Sequence, residues 1–432
     1  MRTLAALMLL GALGAPAIAQ ASQQTLGDAV RSAIGNNPSL MAERKARQAA
    51  DETLAQAQAG MGPQVNLQGG LSTQYQGFGR TFTTPIGTFP LDGSSQRGSI
   101  GVEARQSLWS GGSLTAQRDL ARAGVDESAA RLVGVEQELV LNVVSAFMDV
   151  RYAESELAIR ERNREALRQQ VLAARDRFEV GEVTRTDVAQ AEAREAAAEA
   201  AQARARSDLA RARAVYEQIV GVPPVQLAEP PAPPASPGTL EEAQAAARSA
   251  NPGLMAARAR EVQAERGVDV AKGRLAPRLD VVGSAGLVET YQEGSFSDTN
   301  LAAGLELRFP LFDGGLLQSQ TRSAQLGADR SRYERMAAER QVAAVVASAW
   351  HQLAAAREGV RASASQVAAA EIALEGASQE LAVGERITLD VLDQERELLE
   401  AQLALIGAQR AVYLATFELL AAMGVLKPEL AG

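Results

Sequence analysis

The 432-residue chain contains no cysteine. Disulfides and thiolate metal sites are therefore excluded, and no lipid-anchoring cysteine follows the apolar N-terminal segment. Histidine is nearly missing as well, His351 being the only one. A zinc site of several histidines is excluded, and no G-x-S-x-G elbow or P-loop accompanies His351. That residue reads as a polar position on a helix; neither enzymatic activity nor a bound cofactor is expected. An excess of positive charge is also lacking, with 43 Lys and Arg against 52 Asp and Glu and a formal net charge of −9. Phosphate binding needs the opposite balance, so nucleic acid is not an expected partner.

Residues 1–19 have the plan of a secretory signal. Arg2 supplies the positive start, Leu4 to Leu13 the apolar stretch, and Ala17-Ile18-Ala19 the small-residue cleavage site before Gln20. The apolar core is too short for a membrane anchor, so removal on export is expected. Loss of Arg2 then takes the charge to −10.

Proline is absent from Ser113 to Val180, 68 residues, and again from Gly315 to Val383, 69 residues. In the first stretch Leu139, Val143, Ala146, Val150, Ala153, Leu157, Leu167, Val171, Ala174 and Phe178 follow alternating four-and-three spacing, interrupted by Arg160 and Arg164. That is a heptad seam sustained far beyond an ordinary globular helix. Each stretch would run roughly 100 Å at the helical rise. Phe147 in one stretch is answered by Trp350 in the other, and many other positions are Ala, so neighbours can approach from several sides.

The two stretches belong to a doubled module. Asn37-Pro38-Ser39-Leu40-Met41-Ala42 returns as Asn251-Pro252-Gly253-Leu254-Met255-Ala256, displaced by 214 positions. Leu108-Trp109-Ser110-Gly111-Gly112 returns as Leu311-Phe312-Asp313-Gly314-Gly315, displaced by 203. Val180-Gly181-Glu182 and Val383-Gly384-Glu385 keep that displacement. The repeats span 20–221 and 239–432, joined by a proline-rich connector at 222–238 that reads as a stiff surface linker. Long helices are expected at 113–180 and 315–383, and shorter ones at 38–61, 184–220, 253–275 and 388–424. Two short helices laid end to end match one long helix in length.

Between the helices the period falls to two. Val65, Leu67 and Leu71 alternate with Gln64, Asn66, Gln68 and Ser72; Ile100, Val102 and Ala104 alternate with Ser99, Glu103 and Arg105. Leu301, Ala303, Leu305 and Leu307 oppose Asn300, Glu306 and Arg308, whereas 278–289 alternate less cleanly. Strands are expected at about 63–78, 97–109, 277–291 and 299–312, each long enough to cross a bilayer when tilted and apolar on one face. The distal tips, 79–96 and around 292–298, read as loops. Four strands cannot close a membrane barrel, and open edges in lipid leave backbone groups unsatisfied. The chain must oligomerise; two, three or four copies would supply eight, twelve or sixteen strands, and periodicity leaves that choice open. The fold class is a mixed α/β membrane protein: four transmembrane strands per chain in an oligomeric barrel, continued by a long α-helical coiled-coil barrel.

These features resemble the outer membrane efflux protein family, the TolC-like ducts. The most specific run is Val383-Gly384-Glu385-Arg386-Ile387-Thr388-Leu389-Asp390-Val391-Leu392-Asp393, echoed by Val180-Gly181-Glu182-Val183-Thr184-Arg185-Thr186-Asp187-Val188. The resemblance implies a homotrimer in outer-membrane lipid with its helical tunnel in the periplasm. It also implies docking onto a periplasmic adaptor and an inner-membrane pump of ABC or RND type. The duct would serve passively in efflux or type I secretion, gated at its periplasmic tip.

By the same resemblance, Asp390 and Asp393 match an acidic, cation-selective constriction, and Arg386 a tether of the closed tip. Leu381 stands where the family often has a second, tyrosine tether. Val180, Gly181, Glu182, Val383, Gly384 and Glu385 would form the tips that meet the adaptor. Asp187 pairs with Gln190 where the second copy has Asp390 and Asp393, so the second copy carries the stronger ring. Asp187 and Asp390 also suit the first turn of a helix, where a carboxylate favours the positive end. A structural coiled-coil envelope protein and a stand-alone porin are the competing readings. The first leaves the alternating strands without a purpose, and the second leaves the 100 Å-class helices without one.

Overall fold

The repeated Asn-Pro pairs are helix starts. The computed structural model describes residues 23–76, 81–90, 93–291 and 295–431; the signal-like segment 1–19 lies outside them. The first half comprises α1 (Leu26–Asn36), α2 (Pro38–Ala59), β1 (Gln64–Gln76), β2 (Thr81–Thr84), β3 (Gly87–Pro90), β4 (Gly93–Trp109), α3 (Ser113–Glu179) and α4 (Arg185–Val220). The second comprises α5 (Leu240–Ala250), α6 (Pro252–Gly273), β5 (Arg278–Tyr291), β6 (Ser295–Arg308), α7 (Leu316–Ala382) and α8 (Thr388–Met423), with a 3-10 turn at Pro428–Ala431. Asn37 Oδ1 accepts from the N–H groups of Ser39 and Leu40 at 3.0 and 3.2 Å, and Asn251 Oδ1 from that of Leu254 at 3.0 Å. Pro38 and Pro252 follow at the first helical position, where a missing N–H leaves no bond unmade.

α3 and α7 are each 67 residues long. α2 lies along the N-terminal part of α3, joined by Arg131–Glu43 at 2.9 Å and Arg44–Glu136 at 3.5 Å. α4 lies along the C-terminal part, joined by Arg213–Glu154 at 3.0 Å and Arg175–Glu192 at 2.6 Å. Two shorter helices thus line one long helix end to end, and α6 and α8 line α7 likewise. Half-exposed ion pairs stabilise such contacts little; the apolar seam does more. Leu139, Val143, Ala146, Val150, Ala153, Leu167, Val171 and Ala174 are buried as the heptad spacing requires, whereas Phe178 remains 46% exposed at the helix end. Arg160 pairs with Glu156 and Arg164 donates to Gln202 at 2.8 Å, so the seam's two interruptions carry polar partners.

The equal long helices are unequally covered. α3 buries 19 residues and α7 only 5, because α3 packs against α2, α4, α6 and α8 while α7 lies at the protomer's edge. Leu326, Tyr333 and Ile372 of α7 are largely exposed. The main core gathers at the waist, where Leu26 and Val30 of α1, Val140, Val143 and Phe147 of α3, Tyr216 of α4 and Phe417 of α8 meet. The 222–238 connector is fastened there. Gln24 N–H donates to the Gln226 carbonyl at 2.8 Å, Ala228 N–H donates to that of Gln24 at 3.0 Å, and Leu227 is buried.

β1, β4, β5 and β6 form one antiparallel sheet in the order β1-β4-β5-β6. Side chains opposite one another share a face. Val65, Leu67 and Leu71 thus join Ile100, Val102, Leu287, Ala285, Leu301 and Leu305 on one face; Asn66, Gln68, Glu103, Ser284 and Asn300 occupy the other. The strands differ from expectation at four points. β4 begins earlier, at Gly93, and β6 earlier, at Ser295, within the tip expected to be a loop; β6 ends at Arg308 and not at 312, short of Pro310, which has no N–H for the ladder; and β2 and β3 form a hairpin within the tip expected to be irregular.

Candidate functional site at the helical tips

The turns joining α3 to α4 and α7 to α8 are built alike. Gly181 takes φ +80° and Gly384 φ +79°. Glu182 N–H donates to the Arg177 carbonyl and Glu385 N–H to that of Glu380, both at 2.9 Å. Gly181 and Gly384 close the inner bonds, to Phe178 and Leu381, at 3.0 and 3.1 Å. This is the Schellman arrangement, in which a left-handed glycine satisfies the last helical carbonyls. Its side effect is an outward apolar corner: Val180 is 71% and Val383 72% exposed. Glu182 and Glu385 stand beside them, also exposed.

The helices leaving these turns begin differently. Thr184 caps α4 in a reciprocal box: its Oγ1 accepts from Asp187 N–H at 3.3 Å, while Asp187 Oδ2 accepts from Thr184 N–H at 2.8 Å. Hydrogen bonds from the Thr184 side chain and then its backbone hold the Asp187 carboxyl below its ordinary range. Asp187 is thus engaged in starting its helix. In the second copy Ile387 stands in place of that threonine and offers no side-chain cap. The Asp390 carboxylate consequently has no hydrogen bond or ion pair among the described residues. One Thr-to-Ile difference between the copies frees a carboxylate.

Asp393 lies one turn further, and its partner stands on the other hairpin. Arg194 Nη2 of α4 donates to Asp393 Oδ1 at 3.0 Å. Across the 203-residue displacement Arg194 aligns with Glu397 and Asp393 with Gln190, a charge difference between the copies that was the available clue. Leu392 fixes this part of α8 by entering the apolar cluster of Leu167, Val171 and Ala174 on α3 and Ala191 and Ala198 on α4. Arg386 pairs with Glu380 of α7, inside its own hairpin. Within one protomer the structure brings together Arg194 with Asp393 and Arg386 with Glu380, but not Arg386 with Asp187.

Glu395 was also missed. Gln170 Nε2 of α3 donates to its Oε1 at 3.4 Å, while Oε2 is buried without a partner. It borders two clefts of about 190 Å³ each, shared with Asn163 of α3. Burial pushes its carboxyl up, opposed by the Gln170 bond. A raised carboxyl pKa gives stability that is full below the unfolded-state value and is lost as pH rises through the folded one. Glu395→Gln is therefore expected to raise stability at pH 7.5, and with it the unfolding temperature, by on the order of 1 kcal/mol per protomer for an unmet buried group. The gain should shrink as pH falls towards 4.5. Thermal melts of the detergent-solubilised protein across that range measure it; an equal gain at every pH would mean that ionisation plays no part.

A second charged cluster lies on the polar sheet face, near the helices. Arg105 reaches Glu306 at 3.0 Å and Asp280 at 3.4 Å, Arg278 reaches Asp280 at 3.0 Å, and Arg308 reaches Glu306 at 2.5 Å. Glu103 completes three acids against three arginines. The cluster is balanced, in contrast to the tip, where Asp390 is left over.

The model of the family described as outer membrane efflux protein matches residues 29–222 and 244–425. The outer membrane efflux protein BepC of Brucella suis is 33% identical over 407 residues, 94% of this chain and 86% of that protein. The outer membrane protein TolC of Escherichia coli is 26% identical over 419 residues, 91% of this chain and 81% of that protein. A solved membrane protein from Pseudomonas aeruginosa superposes with a TM-score of 0.81 at 20% identity, covering 92% of this chain and 93% of the other. With these matches running through both halves, the chain belongs to the outer membrane efflux protein family and is an outer-membrane exit duct whose helical tunnel stands in the periplasm.

Proposed function

We propose that three copies assemble into a single duct, four strands from each closing a twelve-stranded barrel continued by a tunnel of twelve helical columns. The observation that carries this reading is the two-faced sheet with open outer edges on β1 and β6. Lipid cannot satisfy those edges, so neighbouring copies must. The exposed residues of α7, at the same side of the protomer as β6, support a neighbour there. Purified protein in detergent should run as a heat-modifiable trimer, with light scattering giving three chains per particle. A well-folded monodisperse monomer would sink the barrel.

At the periplasmic end, Val180, Gly181, Glu182, Val383, Gly384 and Glu385 would meet a periplasmic adaptor. An apolar corner flanked by glutamate suits the end of another helical hairpin. The adaptor would link the duct to an inner-membrane pump of ABC or RND type, the duct itself being passive. Arg386 with Glu380 stiffens the α7–α8 turn, and a closed tip would place Asp390 and Asp393 of each copy around one passage.

Gathered carboxylates attract cations through their summed field. Asp390→Ala with Asp393→Ala is expected to remove most cation preference and to relieve block by trivalent hexaamminecobalt. Reversal potentials across a salt gradient in planar bilayers measure this. An unchanged preference would make the pair a helix-end feature.

A further inference from the structure

Asp390 and Asp393 lie three residues apart on α8, but their surroundings differ. Asp393 is bonded to Arg194, whose guanidinium has no other acidic partner among the described residues. The remaining cations nearby are engaged elsewhere. Arg160 pairs with Glu156 on α3, and Arg396 with Glu397 and Glu400 on α8. Glu395 turns towards Gln170 of α3. Arg194 itself rises from an alanine-lined stretch, Ala197, Ala198 and Ala201, beside a cleft of about 190 Å³. Leu392, buried between α3 and α4, holds α8 at the distance this bond requires. Both side chains stay partly exposed, Arg194 at 35% and Asp393 at 42%, so it is the seating of α8 by Leu392 that sets the two groups opposite one another.

We infer that Arg194 is a specificity-determining residue of the duct: it is the standing counter-ion of Asp393, leaving Asp390 as the carboxylate that passing cations meet. The inference rests on the reading that both aspartates line the passage. In a trimer it replaces six unopposed negative charges by three, with three neutral ion pairs behind them. Groups three residues apart on a helix lie about 5–6 Å from each other, inside the Debye length of about 8–10 Å at ordinary salt. Arg194 therefore changes the field at Asp390 as well as at Asp393.

Arg194→Gln keeps a hydrogen-bonding side chain and removes the charge. It should raise cation preference and lower the hexaamminecobalt concentration needed for half block by about tenfold, the low end of what focused charge does to local counter-ion concentration. Arg194→Lys keeps the charge and should behave as wild type. Arg194→Gln with Asp393→Asn should return to wild-type selectivity, because Asp390 then stands alone again. Trimer yield on unheated gels checks folding of each variant. A rise in conductance with no shift in reversal potential would make Arg194 a mechanical tie between hairpins and overturn the inference. Unchanged selectivity in Arg194→Gln, where Asp390→Ala with Asp393→Ala abolishes preference, overturns it too and leaves the acidic passage standing. If the double alanine variant keeps its preference, the passage reading and this inference fail together. A shift in Arg194→Lys equal to that in Arg194→Gln would show that charge is not the cause.

Discussion

Leu301→Arg is expected to abolish insertion into the outer membrane. Leu301 lies midway along β6, opposite Ala285 on β5, and is 85% exposed on the face it shares with Leu67, Leu71 and Leu305. Water would not leave that face bare, but lipid would cover it. An arginine at the bilayer midplane costs about 2–4 kcal/mol on the lipid side of a barrel, and a trimer would carry three. Asn300→Arg, one residue away on the polar face, should insert and assemble normally, because successive strand residues point to opposite faces. Outer-membrane fractions probed for the heat-modifiable trimer separate the two variants. If both assemble, the apolar face is not the lipid face.

That alternation was legible in the sequence because Val65, Leu67, Ile100, Val102, Leu301 and Leu305 fall on alternate positions of their strands, as a sheet with one apolar face requires. The long helices were legible for a related reason, since 67 residues without proline and with a heptad seam have few other ways to bury their leucines and valines. What stayed hidden was whatever depends on pairing between the halves. Arg194 and Asp393 are 199 residues apart, and no local rule joins them. The burial of α3 and the exposure of α7 were equally invisible, because both have the same length and similar composition; position in the bundle decides. α8 is misleading on its own. Its length and one 18-residue apolar stretch suit a membrane span, yet Leu392, Tyr413, Phe417, Leu419 and Met423 are buried among neighbouring helices. Asp187 shows the converse case, where the plainer local reading, a helix cap, describes the bonds that its carboxylate makes.

The doubled Gly-Gly junctions give the second large effect. Gly111 takes φ +64° where β4 turns into α3, and a Cβ there would collide with the Ala276 side chain and lie 2.6 Å from the Gly273 carbonyl oxygen. Gly273 is crowded in return: its own Cβ would lie 2.7 Å from the Ser113 nitrogen. Strand, long helix and the end of α6 meet here backbone to backbone, which is how the sheet is set on the helices. Gly111→Ala therefore combines left-handed strain with overpacking, about 2–5 kcal/mol per protomer in all. Gly181→Ala is the control. It has the same sign of φ, +80°, but nothing within 4 Å of its would-be Cβ, so only the backbone strain of about 1–2 kcal/mol remains. The temperature at which the trimer band is lost should fall far more for Gly111→Ala than for Gly181→Ala. Adding Ala276→Gly to Gly111→Ala removes the side-chain collision, though not the carbonyl contact, and should restore part of the loss. Equal destabilisation by the two single variants would show that backbone strain alone acts at Gly111, and that the strand-to-helix junction has room to spare.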